Sequence, residues 1–301
     1  MCPLTAEVDV ASAPVGLPQP PPEGSSALAR GTFSETVVLV TGGGTGLGAA
    51  IAEEFARLDA SVAVISRDRA HLDAANAILA KYEKPFFSCP CDIRDPDQVQ
   101  EAFDAVERRL GLPDVLVNNA AANFPVCAED LSPNGWRTVV DITLNGTFYM
   151  TREFGRRHLA LERSGSIVCI GASYAWTGGP GFVHSAAAKA GVKNLVETLA
   201  VEWGPFGIQI NGLVPGLVPH ADMTRDIRAN LGNENDRRQP AMRVGERREI
   251  GWAATFLASP FARFISGHTL VVDGANWQRR DLTNPPVATI RKQMGRRSIE
   301  S

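Results

Sequence analysis

The sequence predicts a doubly wound α/β domain, a parallel seven-stranded sheet with helices on both faces. Two observations carry this expectation: short β-branched runs alternate with amphipathic stretches from Thr36 onward, and a glycine-rich turn separates the first run from the first helical pattern. The seven runs are Val37-Val38-Leu39-Val40, Ser61 to Ile65, Phe86-Phe87-Ser88-Cys89, Val115-Leu116-Val117, Ser166 to Ile170, Ile208-Gln209-Ile210 and Thr269-Leu270-Val271-Val272. Such alternation is the pattern of βαβ units. Between the fifth and sixth runs, Val192, Leu195, Val196, Leu199 and Trp203 recur at helical spacing, which puts one apolar face on a helix that also carries Lys189.

The flanks read differently from this centre. Residues 1–31 contain Pro18, Pro20, Pro21 and Pro22 among Gly and Ser, so they lack backbone donors and a periodic apolar face. A disordered or loosely draped tail that contributes little to folding is expected there. The domain is expected over 32–278, and a second tail over 279–301. Within the domain, 219–245 break the rhythm with Pro, Gly, Asn and Arg, and are expected to be a mobile segment over the carboxyl edge of the sheet.

At 301 residues, 44% hydrophobic and 21% charged, the chain has apolar material for a large core in one domain. A net charge of -3 with Lys and Arg scattered gives no basis for a nucleic-acid groove. The five cysteines form neither a CxxC pair nor a framework with histidines, so no metal or disulfide is expected, and a reducing, cytoplasmic setting fits. No apolar run approaches the roughly 20 residues of a membrane helix, and the N-terminus lacks a basic stretch followed by an apolar one. The final Ile299-Glu300-Ser301 also lacks a peroxisomal address of the Ser-Lys-Leu type.

The turn after the first strand reads Thr41-Gly42-Gly43-Gly44-Thr45-Gly46-Leu47-Gly48 and runs into the apolar-periodic 49–58. Glycines between a strand and a helix let backbone approach a pyrophosphate, whose charge suits the free N–H groups of a helix start. The spacing TGxxxGxG resembles the turn of short-chain dehydrogenases/reductases. Asn118-Asn119-Ala120-Ala121 resembles that family's NNAG, with Ala121 in place of glycine, and Asn145, Lys189 and Pro215-Gly216 fall where the family has its helix asparagine, its lysine and its PG turn. The resemblance covers roughly 36–277 and implies a Rossmann-like fold, a nicotinamide cofactor and a homo-oligomer, commonly a tetramer. Thr41, Gly42, Gly44, Thr45, Gly46, Leu47, Gly48, Asp92, Ile93, Asn119, Lys189, Pro215, Gly216 and Val218 would then contact the cofactor. Asp92 could equally cap the helix that begins near Asp95.

The second strand ends in Ile65-Ser66-Arg67, without the acidic residue that would read a ribose 2′-hydroxyl. A hydroxyl and a guanidinium suit the 2′-phosphate of NADP(H).

Ordinary members of this family carry a tyrosine four residues before the lysine, and a serine about thirteen before that tyrosine. Here those positions hold Ser185 and Ala172, while a tyrosine stands nearby at Tyr174. The segment 173–192, with Asn123-Phe124 and Leu131-Ser132-Pro133-Asn134, resembles the 2,4-dienoyl-CoA reductases. That resemblance implies NADPH-dependent reduction of a 2,4-dienoyl-CoA to a 3-enoyl-CoA in unsaturated fatty acid breakdown. By it, Tyr174 and Asn123 would bond the thioester oxygen, Lys189 would hold the nicotinamide ribose, and Ser185 would orient Lys189 or the nicotinamide. Arg94, Phe124, Ser132 and Arg225 would meet the acyl-CoA. Two alternatives stay open, a related reductase of enoyl or oxoacyl thioesters and a cofactor-binding protein without turnover.

Overall fold

In a computed structural model of the protein, residues 15–220, 223, 238–279 and 289–295 are described. Seven parallel strands form one sheet in the order β3-β2-β1-β4-β5-β6-β7. They are β1 (Val37–Thr41), β2 (Ser61–Ser66), β3 (Phe86–Pro90), β4 (Val115–Asn118), β5 (Gly165–Ile170), β6 (Ile208–Pro215) and β7 (Thr269–Val272). Each expected run is a strand, and β6 continues to Pro215, beyond the three residues its β-branched pattern marks. The extension passes through Asn211 and Gly212, whose neighbours on β5 and β7 supply the pairing that local propensity lacks.

Burial on both sides explains why β1 is continuously apolar. Val38 and Val40 point to one face, with Ile51 and Phe55 of α1 (Gly46–Arg57) and Leu257 of α8 (Arg247–Ala258). Leu39 points to the other, with Phe103 of α3 (Pro96–Leu110), Phe154 of α5 (Gly146–Ala160) and Trp203 of α7 (Val183–Trp203). The period-2 alternation of a strand thus assigns its side chains to two cores. Helix α2 (Arg69–Leu79) covers the outer strands, and α4 (Pro133–Val140) leads through a π-helical turn, Asp141–Asn145, into α5. A short helix, α6 (Tyr174–Thr177), follows β5.

The N-terminal expectation is corrected in its described part. Residues 15–31 are bound along the domain: the Trp252 indole donates to Ser25 O at 2.9 Å, Arg248 Nε to Pro21 O at 2.8 Å, and Leu28 packs against the core. Prolines remove backbone donors but leave every carbonyl, and side-chain donors from α8 take them up. Residues 1–14 lie outside the described residues. Of the expected C-terminal tail, 289–295 contain α9 (Ile290–Gln293), whose Arg291 pairs with Glu129 at 2.6 Å. Among the described residues no helix is long and apolar enough to cross a membrane.

Helices α5 and α7 meet where Gly155 faces the Trp203 ring; a Cβ at 155 would stand 2.5 Å from Trp203 Cη2. Replacing a helical glycine by alanine ordinarily gains about 1 kcal/mol. Overpacking against a buried indole costs about 1–3 kcal/mol, so the clash wins. Gly155→Ala is expected to lower Tm by a few degrees in thermal unfolding; an increase would show that Trp203 yields freely.

Candidate active site

A cleft of about 560 Å³ opens at the carboxyl ends of β1 and β4, where the chain order of the strands reverses. One wall is the glycine turn. Gly42 has φ +63°, and a Cβ at Gly48 would lie 2.3 Å from Gly42 O, so the turn closes only without side chains at these positions. Thr45 precedes α1 with an extended backbone and no side-chain cap, and the first turn of α1 has no acidic residue. Its N–H groups and the positive end of the helix dipole therefore remain for an anion, as a dinucleotide pyrophosphate requires.

The turn is fastened to the end of β4. Thr41 Oγ1 accepts from the N–H groups of Asn119 and Ala120, each at 2.9 Å, while Asn119 Nδ2 donates to Thr41 O at 2.9 Å and Gly42 O at 3.2 Å. Four bonds hold two loops in one register. Behind them, buried Asn118 donates to Thr151 Oγ1 at 2.9 Å on α5.

At the far end of the cleft stand Ser66, Arg67, His71 and Asp92. Asp92 does not cap α3; Asp95 does, accepting from Asp97 N and Gln98 N. Asp92 instead receives a forked pair from Arg94, Nε to Oδ1 at 2.9 Å and Nη2 to Oδ2 at 2.5 Å, with Arg67 Nη1 at 3.8 Å. The Arg94 hydrogen bonds hold its carboxyl below the ordinary range. Asp68, beside the expected ribose reader, is occupied as the N-cap of α2 through Ala70 N at 2.8 Å.

At the near end, Tyr174 Oη lies 2.9 Å from Ser185 Oγ and accepts from Asn123 Nδ2 at 3.4 Å. Three loci converge here: the loop after β4 and, some fifty residues on in the chain, the first residue of α6 and the first turn of α7. Among the described residues Asn123 Oδ1 is buried without a partner, an unusual state for an amide oxygen and one that suits a group reserved for a ligand. Burial raises the Tyr174 phenol, and the Ser185 bond lowers it in part, so the hydroxyl keeps its proton at neutral pH and can donate.

Lys189 sits one helical turn beyond Ser185 on the same face of α7, wholly buried, with its ammonium bonded to Ile170 O. Desolvation pushes its pKa down to about 8. Neighbouring Cys169 and the cleft residue Cys91 are pushed up to about 11 and about 12 by burial, so neither offers a thiolate at neutral pH.

Of the residues expected from sequence, Gly42, Thr45, Leu47, Gly48, Ser66, Arg67, Asp92, Ile93, Asn119, Asn123, Tyr174, Lys189 and Pro215 line this cleft. Others stand apart. Gly44 is pressed against α2, where a Cβ would meet His71 O at 1.9 Å, and Gly46 begins α1. Gly216 and Val218 line a neighbouring hollow, and Asn145 donates to Asp141 Oδ1 at 2.8 Å inside the π-helical turn. Ser185 lies in the first turn of α7, where its hydroxyl meets that of Tyr174.

Three expected acyl-CoA residues have other partners. Arg94 is folded onto Asp92, Ser132 caps α4 through Gly135 N at 3.0 Å, and Phe124 packs edge-on to His184 with centroids 4.5 Å apart. Arg225 lies outside the described residues. Sequence reasoning missed His71, Ile142, Ile170 and His220 in the wall. Ile142 and Ile170 read as ordinary core; the signal for His71 was its place one turn after Ser66-Arg67.

Comparison with known proteins settles the family. A profile described as Enoyl-(Acyl carrier protein) reductase matches residues 42–275. The chain belongs to the short-chain dehydrogenase/reductase family. A Caenorhabditis elegans protein named "Probable 2,4-dienoyl-CoA reductase [(3E)-enoyl-CoA-producing]" is 38% identical over 83% of this chain and 83% of its own length. A Bacillus subtilis protein named "Probable 2,4-dienoyl-CoA reductase [(2E)-enoyl-CoA-producing]" is 36% identical over 81% of this chain and 98% of its own. A crystal structure from Agrobacterium tumefaciens with bound NADP, described as a candidate 2-deoxy-D-gluconate 3-dehydrogenase, superposes with a TM-score of 0.75 at 33% identity, covering 83% of this chain and 100% of that one. As a member of the family the chain is an oxidoreductase fold that takes a nicotinamide cofactor, and the open glycine turn fits that group.

The buried lysine makes a stability prediction. A lysine whose folded pKa lies near 8, below its ordinary 10.5, carries a penalty that is full below pH 8 and disappears as pH rises toward 10.5. The displacement corresponds to about 3 kcal/mol against the charged form. Lys189→Met is therefore expected to raise the Tm of the cofactor-free protein at pH 7, with the gain fading between pH 8 and 10.5 in a series of thermal melts. A Met variant that is less stable at pH 7 would show that the bond to Ile170 O outweighs burial.

Proposed function

We propose that this chain reduces a 2,4-dienoyl-CoA to a 3-enoyl-CoA with NADPH. The observation that carries the reading is the shared neighbourhood of two neutral donors, Tyr174 Oη and Asn123 Nδ2, 3.4 Å apart, at a site where Ser185 replaces the family's usual tyrosine. Two groups that donate to one oxygen stand within about 6 Å of each other, twice a hydrogen-bond length. This pair meets that condition with room to spread around a ligand.

The dinucleotide would be held by the glycine turn, Asn119, Lys189 and the loop after β6, and when bound it supplies a hydride. With C5 of the diene as the acceptor, the electron pairs move through the conjugated system onto the thioester oxygen. Tyr174 and Asn123 bond that oxygen as its charge develops, Ser185 fixes the direction of the phenol, and water protonates C2 to leave the 3,4 double bond. Donors that strengthen only as charge appears lower the barrier by about 3 kcal/mol each. A phenol raised by burial suits this role better than that of a general acid, because it gains by sharing its proton and loses by surrendering it.

NADPH is preferred because β2 ends in Ser66 with Arg67 next, and the acid that follows in the chain, Asp68, is spent on α2. The same reading takes the protein as a cytoplasmic homotetramer; exposed Phe148 on α5 and Val201 on α7 supply apolar surface for subunit contact. Reduction of a simple enoyl thioester is the second reading, favoured by the description of the matching family profile. NADPH oxidation against 2,4-dienoyl-, 2-enoyl- and 3-oxoacyl-CoA separates the two. Turnover confined to 2-enoyl or 3-oxo substrates removes the proposal, and NADPH binding without oxidation of any of them points to a non-catalytic protein.

Four substitutions divide the claim. Tyr174→Phe or Asn123→Ala is expected to lower kcat on a dienoyl-CoA about 100-fold with little change in cofactor affinity, and the double variant to lose less than the product, since both groups act on one atom. Ser185→Ala should cost less than Tyr174→Phe; the reverse order in steady-state kinetics would return the proton-donor role to position 185. Arg67→Ala should weaken NADPH by about 1–3 kcal/mol and leave NADH nearly unchanged. Equal losses in a binding titration would remove Arg67 as the phosphate reader.

A further inference from the structure

The Pro-rich segment runs along α8 in an ordered sequence of contacts. Trp252 Nε1 donates to Ser25 O at 2.9 Å and Arg248 Nε to Pro21 O at 2.8 Å, so donors one helical turn apart take carbonyls four residues apart. Arg243 Nε then donates to Pro18 O at 3.0 Å, and Leu17 N to Ala241 O at 2.9 Å. Carbonyls of two prolines and a serine are each taken by a nitrogen donor, as suits a stretch with few N–H groups of its own. Each contact reads backbone, so it depends on the path of the segment.

The far end of this path lies where the chain returns to α8 through residues 238–245. Gly16 adopts φ +70°, and a Cβ there would meet Ala241 O and Met242 Cβ at 2.5 Å, so a side chain at 16 would force the two segments apart. Met242 itself stands at φ +54°, an uncommon conformation for a residue with a side chain. Arg243 joins three parts: besides Pro18 O it donates to Glu249 at 2.7 and 2.8 Å, and Glu249 closes the capping box of α8. Leu17, Ala241 and Arg243 share a hollow of about 250 Å³ with Gly216, Leu217 and Val218, and Gly245 N donates to Leu217 O at 2.9 Å.

We propose that residues 16–25 are a strap that positions the 238–245 limb, and through it the Pro215–Val218 turn, so that dinucleotide affinity depends on the N-terminal segment. The strap touches no reacting group. It acts by holding the limb against the turn after β6, and this inference rests on the reading that the turn adjoins the bound cofactor.

The test uses the full chain altered at opposite ends of the strap. Gly16→Val forces the far end from Ala241, and the double variant R248A/W252F removes two donors on α8 while leaving the aromatic surface. If either reduces the binding-competent population to about one fifth, the Kd for NADPH rises about fivefold by calorimetry. The kcat on a dienoyl-CoA then stays within twofold, because Tyr174, Asn123 and Lys189 are undisturbed. Folded variants at both ends that bind NADPH with the wild-type Kd overturn the strap. A wild-type chain that binds neither NADPH nor NADH overturns the functional reading instead.

Discussion

The clasp between Thr41 and Asn119 is the constraint on which the site depends. Parallel strands leave their carboxyl ends free to splay, and β1 and β4 are the pair at which the loops turn to opposite faces of the sheet. One hydroxyl accepts two backbone N–H groups and one amide gives its protons to two carbonyls, so both loops are fixed with polar groups already satisfied. The glycine turn can therefore stay without side chains and still hold its shape. Asn123, four residues along the same loop, inherits its position from that clasp. Each bond is worth about 1 kcal/mol in stability, but together they remove the relative motion that would separate the two walls.

The near end of the cleft follows from what happens to charge under burial. Lys189 and Tyr174 are driven in opposite directions, the amine down and the phenol up, and both changes disfavour the ionised form. In an ordinary family member the lysine and tyrosine stand together and the phenol gives its proton to a carbonyl oxygen. Here the tyrosine stands on α6 and a serine at 185, which in the proposed reaction separates those tasks. The phenol gains a hydroxyl neighbour in Ser185 and an amide donor in Asn123, which steer its hydrogen bond, while burial keeps it protonated.

The fold was legible in the sequence because both faces of the sheet are buried. A run as short and continuously apolar as Val37 to Val40 fits a strand covered on both sides, and the turn at 41–48 marks where that strand must stop. Tyr174 was legible through its motif, since its loop and the SxxxK on α7 lie close in the chain. The limits are as specific. Arg94, Ser132 and Phe124 were assigned to acyl-CoA from resemblance, and the sequence did not show the neighbour each has in the fold: a carboxylate two residues away, a helix start, and an imidazole on α7. A motif names a position but does not say which neighbour reaches it first. The path of residues 15–31 along the domain was not legible for a related reason. Lack of periodicity excludes a helix or strand, but it does not exclude carbonyls being bound by a surface elsewhere in the chain.

Under the NADPH reading proposed above, the charge order at the far end bears on how Arg67 stays available to a phosphate. Asp92 is the acid closest to Arg67, and alone it would neutralise the guanidinium that a phosphate needs. Arg94 prevents this by binding both carboxylate oxygens in fork geometry, leaving Arg67 at 3.8 Å, beyond hydrogen-bond length. Arg67 is half exposed, so its own attraction to Asp92 is screened and weak. A phosphate arriving beside Ser66 can offer it several acceptors at closer range, and the exchange sacrifices little. By binding both carboxylate oxygens of Asp92, Arg94 is therefore the residue that leaves Arg67 available.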